Sequence, residues 1–103
     1  MKTLERQILT NAIEKNGTDE QMRIAQEECA ELIQAISKYH RAQLAESRHR
    51  GHATERATKH LIEEIADVSI MVDQLKLMIK GNHNDVREQK ITRIGERIQK
   101  GDK

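Results

Sequence analysis

EECAELIQAI (residues 27–36) and EEIADVSIMVDQL (residues 63–75) are the stretches whose reading decides the fold. In each, apolar residues recur three and four apart, the spacing of one side of an α-helix and not the two-residue alternation of a strand. Working outward from the first, Met22, Ala25, Cys29, Leu32 and Ile36 form an expected core stripe on a helix running from Thr18 to about Ala45. Thr18-Asp19-Glu20-Gln21 has the form of a capping box at its start, and Asp19 and Glu20 favour the positive end of the helix dipole. The second stretch extends into a helix from Thr54 or Glu55 to Lys80, with Gly81 expected as its left-handed cap. Its main stripe is Leu61, Ile65, Val68, Val72, Leu75 and Ile79. A second set, Ile62, Ala66, Ile70 and Leu77, lies about 100 to 180° round the same helix. A helix apolar on two faces needs neighbours on both, supplied by self-association or by the remaining helices.

Those remaining helices are shorter. Leu4, Ile8, Leu9, Ala12 and Ile13 mark one from Thr3 to Asn16, stopped by Asn16-Gly17. Asp85 and Glu88 give a second start of capping-box form, followed by Val86, Ile91, Ile94 and Ile98, with Gly95 a weak point inside that helix. Residues 47–54, SRHRGHAT, are basic and aperiodic and read as a mobile connection, while residues 100–103 should fray. The expected architecture is a single all-α domain over residues 1–103, about four helices per chain, forming a bundle completed by oligomerisation.

Composition narrows the function. A chain of 103 residues covers its apolar surface poorly when it folds alone. With 18 basic against 17 acidic side chains there is no global field to draw in a nucleic acid or an anionic membrane. Tyr39 is the single Phe/Tyr/Trp ring, which argues against a stacking platform for single strands. Cys29 is the single cysteine, so an intrachain disulfide and a thiolate zinc cluster are both excluded and a reducing compartment is expected. The charged amino end contains no apolar signal core, and no stretch approaches the roughly 20 apolar residues of a membrane span. The expected location is the cytoplasm.

The acidic residues carry the chemistry. Glu28 and Glu31 lie about 60° apart on one helix, and so do Glu64 and Asp67 on the next, each pair beside apolar positions and not on a clean solvent face. If the helices pack antiparallel, four carboxylates converge, repel and raise one another's pKa unless a cation enters. Magnesium, with manganese as a substitute, suits an all-oxygen set. No histidine joins the set, and neither HExxH nor a glycine loop that cradles phosphate is present, so zinc is the poorer fit.

These two stretches resemble the MazG-like all-α nucleoside triphosphate pyrophosphohydrolases, whose pattern is ExxE on one helix and ExxD on the next. The pattern maps onto Glu28 and Glu31, then Glu64 and Asp67, with Glu27 and Glu63 at the extra acidic positions that often precede them. The likeness covers roughly residues 20–98, because Lys90, Arg93 and Arg97 look like the basic closing segment of small members. It implies magnesium-dependent hydrolysis of a nucleoside triphosphate between its α and β phosphates, giving a monophosphate and pyrophosphate. It also implies intimate homodimers, sometimes paired into homotetramers. The 32 residues between the two motifs are slightly long, which leaves pocket shape and substrate choice open.

On this reading Glu28, Glu31, Glu64 and Asp67 are the expected metal ligands and Glu27 a further ligand or outer base. Lys90, Arg93 and Arg97 are expected on the triphosphate, since arginine offers paired hydrogen bonds to phosphate oxygens. Gln34, Tyr39 and His40 are candidates for sugar or base, and Arg48, His49, Arg50 and His52 for incoming phosphate. The competing reading is a noncatalytic helical oligomerisation or interaction protein that retains the fold. A nucleic-acid module comes third and requires the basic loop and last helix to form one patch.

Overall fold

A computed structural model describes residues 1–48 and 53–101. They form four helices in the order α1 (Thr3–Asn16), α2 (Thr18–Arg48), α3 (Ala53–Met78) and α4 (His83–Gln99), with no strand among the described residues. The expected connection at 47–54 narrows, because Ser47 and Arg48 belong to α2 and Ala53 and Thr54 to α3, while residues 49–52 lie outside the described set. Helices α2 and α3 form an antiparallel hairpin that holds most of the tertiary packing, and α1 lies against both.

The seam of that hairpin keeps only part of the expected stripes, Ala25 and Leu32 on α2 and Leu61 and Val68 on α3. On α2 the residues turned inward are Gln21, Ala25, Glu28, Leu32, Ala35, Tyr39 and Ala42, a run spaced alternately four and three. Ala25 and Ala35 are buried, as is Met71 on α3, whereas Cys29 and Ile36 face out. On α3 the inward set is Leu61, Glu64, Val68, Met71 and Gln74, whereas Ile65 and Val72, and Ile79 just past the helix end, are exposed. Small side chains, Ala25 and Ala35, take buried seam positions, and the bulkier Ile36, Ile65 and Val72 are exposed.

Helix ends differ from expectation: α2 runs on to Arg48 and α3 stops at Met78, two residues before Lys80. Thr18 is the first helical residue of α2 and not its cap; the Gly17 carbonyl accepts the Gln21 amide at 3.1 Å. Gly17 itself has φ +89°, a conformation that favours glycine, and separates α1 from α2. Gly81 is not a left-handed cap, since the positive-φ glycines are Gly17 and Gly101. Helix α4 starts at His83, two residues before Asp85, with Asn82 as its cap.

Gln21 is used for packing and not for capping. Its Nε2 donates to Gln74 Oε1 in the buried seam, and its Oε1 accepts from Asn16 Nδ2 at 3.3 Å, tying the α1 end to both long helices. Gln21→Leu leaves the buried Gln74 carbonyl unpaired and is expected to destabilise the chain by about 1–3 kcal/mol. Replacing both glutamines with leucine should recover most of that loss in urea unfolding.

Helix α4 buries none of its residues and makes at most marginal contact with any other element. The Cα radius of gyration is accordingly 17.7 Å, against about 13 Å for a close-packed chain of this length. No described helix is long and apolar enough to cross a membrane.

Candidate metal centre

Midway along the hairpin the α2 seam run passes through Glu28 and the α3 run through Glu64, so two carboxyl groups face each other between the helices. Asp67 follows Glu64 by three residues and brings a third. One ligand oxygen from each of Glu28, Glu64 and Asp67 lies within 4.8 Å of the others. Glu64 is buried, Glu28 half-buried and Asp67 exposed, so the cluster opens toward solvent on the Asp67 side.

Two oxygens in this cluster, Glu28 Oε2 and Glu64 Oε2, are buried without a hydrogen-bond partner. Leaving a carboxylate oxygen dry and unpaired is costly unless the group takes up a proton or meets a cation. The Glu28 carboxyl accordingly has its pKa raised, first by burial, then by the neighbouring charges of Glu31, Asp67 and Glu64. A hard divalent ion, which takes carboxylate oxygens, fits this donor set.

A carboxyl that holds its proton more tightly in the folded chain than in the unfolded chain gives a definite pH signature. Metal-free stability is fullest below the ordinary glutamate range and declines as pH rises through that range toward the raised value. Thermal melts over that interval should show this decline, and Glu28→Gln should flatten it.

The other expected site residues are distributed unequally. Glu31 stands close enough to Glu28 to act on its charge, but outside the three-oxygen cluster. Glu27 is exposed and ion-paired with Arg23, which also pairs with Glu20. Gln34 and His40 are exposed. Tyr39 is half-buried in the seam, two turns from Glu31, and its hydroxyl accepts a hydrogen bond from Gln43 Nε2 at 2.9 Å. Lys90, Arg93 and Arg97 all lie on the detached α4 and are not brought to the carboxylates by this chain. Arg48, His49, Arg50 and His52 cannot be placed, since 49–52 lie outside the described residues and nothing is described of the Arg48 side chain.

The position of Glu28 inside the seam was readable from the four-three run through Gln21, Ala25, Glu28, Leu32 and Ala35, but a stripe drawn through apolar residues alone passes over it. The fold and cluster define an all-α, four-helix chain whose carboxylates can hold a divalent cation, broadly consistent with the MazG-like arrangement. No family model, curated protein or solved structure matches the chain.

Proposed function

We propose that this chain is a magnesium-dependent nucleoside triphosphate pyrophosphohydrolase that cleaves between the α and β phosphates and releases a monophosphate and pyrophosphate. The observation that carries the reading is the convergence of Glu28, Glu64 and Asp67, with two of their buried oxygens unpartnered. The ExxE and ExxD pattern adds to it. Glu28, Glu64 and Asp67 hold the ion, and Glu31 joins them as a fourth carboxylate at the solvent side. When bound, magnesium neutralises phosphate oxygens and lowers the pKa of a water. In this reading Glu27, exposed next to Glu28 and paired with Arg23, acts from outside the ligand set, and Gln34 and Tyr39 on α2 serve sugar or base.

Self-association belongs to the same reading. Cys29, Ile33 and Ile36 on α2 and Ile65 and Val72 on α3, with Ile79 just past its end, are exposed on one side of the hairpin. A shallow groove of about 640 Å³ between Met22, Cys29, Ile33 and Leu75 lies there. Two helices about 40 Å long present on the order of 800 Å² on that side, the area one partner contributes to a standard stable interface. A second copy of the chain is the proposed cover, giving a homodimer or a homotetramer. The same surface is the feature that favours the noncatalytic reading, in which oligomerisation is the whole function.

Turnover separates them. Incubating the full chain with magnesium and a panel of standard and modified nucleoside triphosphates should yield monophosphate and pyrophosphate in equal amounts. Orthophosphate release would place cleavage at another bond, and a stable oligomer without turnover on any triphosphate would favour the interaction protein.

A further inference from the structure

Helix α4 carries two surfaces that its own chain leaves unused. Ile91, Ile94 and Ile98 form a stripe with about half or more of each side chain exposed, and Lys90, Arg93 and Arg97 form a basic edge beside it. Taking about 100° per residue, the basic edge lies roughly 100° from the stripe, on one side of it only.

A complementary surface exists elsewhere in the molecule. The second apolar face of α3 exposes Ile62 (61%) and Ile70 (46%), and Ile70 and Ala66, beside Ser69 and Asp73, line with Glu5, Ile8 and Leu9 of α1 a groove of about 450 Å³. Glu63 and Asp67 line one edge of this face, again about 60 to 100° round the helix, and Lys76 lies on the opposite edge. Apolar stripe and apolar groove match, and so do basic edge and acidic edge.

The handedness of the match decides which chain supplies α4. Relative to the apolar stripe, the charged edge is displaced in opposite rotational senses on α3 and α4. Facing helices bring such edges to the same side only when they run parallel. Four residues, 79–82, connect α3 to α4, and a fold-back through so short a link produces an antiparallel pair. Fold-back would set Lys90, Arg93 and Arg97 on the Lys76 edge, and two α4 helices paired antiparallel would set basic against basic.

We infer that α4 of a second copy packs parallel to α3 in the α1/α3 groove, with Ile91, Ile94 and Ile98 over Ile62, Ala66 and Ile70. The basic edge of that copy then borders Glu63 and Asp67, so each carboxylate centre receives its phosphate-facing cations from the other subunit. The significance for catalysis rests on the hydrolase reading, but the packing does not, and it is tested without magnesium or nucleotide.

In a Cys29→Ser background, co-expressed full-length chains carrying Ala66→Cys and Ile94→Cys are oxidised, with helix content checked by circular dichroism. The expected product is a disulfide-linked heterodimer, formed at least tenfold more than the homodimers of either single variant. Ile94→Cys chains linking to each other as readily, a doubly substituted chain closing on itself, or no link in folded protein would overturn the inference. As a second reading, R93E with R97E should weaken association several-fold at low salt by ultracentrifugation, and E63K should restore it in that background. An unchanged dissociation constant would count against the charged edge as a determinant.

Discussion

Asp67→Asn or Glu64→Gln is expected to lower magnesium-dependent release of pyrophosphate by about 10²- to 10³-fold. Each substitution keeps shape and hydrogen-bonding size and removes one negative charge from a set whose ligand oxygens lie within 4.8 Å of one another. Removing a single preorganised electrostatic group from a reaction centre costs roughly 2.7–4 kcal/mol of transition-state stabilisation, which converts to that range of rate. Glu27→Gln acts on an exposed group already paired with Arg23, and its effect should be smaller than that of either seam residue. Initial rates at saturating substrate, with magnesium varied, distinguish lost metal affinity from lost chemistry: the first is recovered at high magnesium and the second is not.

The second large effect is on stability and has the opposite sign. Glu64→Leu is expected to make the metal-free chain more stable, by about 1–3 kcal/mol, because it removes a buried carboxylate whose Oε2 has no partner and fills the seam with an aliphatic of similar volume. For a chain of this size that is on the order of 4–8 °C in Tm per kcal/mol, compared at one fixed protein concentration. Magnesium should reverse the order of the two proteins. An ion present at about 100 times its Kd stabilises the native chain by about 2.7 kcal/mol and has no comparable site in the Glu64→Leu variant. A metal-free variant less stable than the parent would mean that Glu64 is held by favourable contacts and not by strain.

Helix positions were legible in the sequence because caps and periodicity are local. Asn16-Gly17 marks the break between α1 and α2, and the long amphipathic runs of α2 and α3 end within about three residues of where their spacing suggests. The face each helix buries was less legible. The expected stripe on α2 was right for Ala25, which is buried, but it also took in Cys29 and Ile36, which face out, and passed over the buried Ala35. The larger aliphatics serve surfaces outside the hairpin, and a single chain cannot reveal them by periodicity alone. The pairing of Gln21 with Gln74 was hidden for a related reason, since residues 53 apart meet only once the antiparallel register is set.

The acidic centre was legible as two pairs three residues apart, and the hairpin brings Glu28, Glu64 and Asp67 together. Its depth was not, because depth depends on which face forms the seam. Two of the pair members lie directly in that seam and two beside it, so one ExxE and one ExxD motif yield a graded site from buried Glu64 to exposed Asp67. The basic residues of α4 could be grouped from spacing, but their distance from the carboxylates is a property of the α3–α4 link and has no signature in α4 itself.

Calorimetric titration of the metal-free protein with magnesium, repeated on Glu64→Gln and Asp67→Asn, bears most directly on whether these carboxylates form a cation site. Saturable binding by the parent chain, weakened at least tenfold in both variants, is the expected result. No binding by the folded parent, or binding of equal strength in all three proteins, would contradict it.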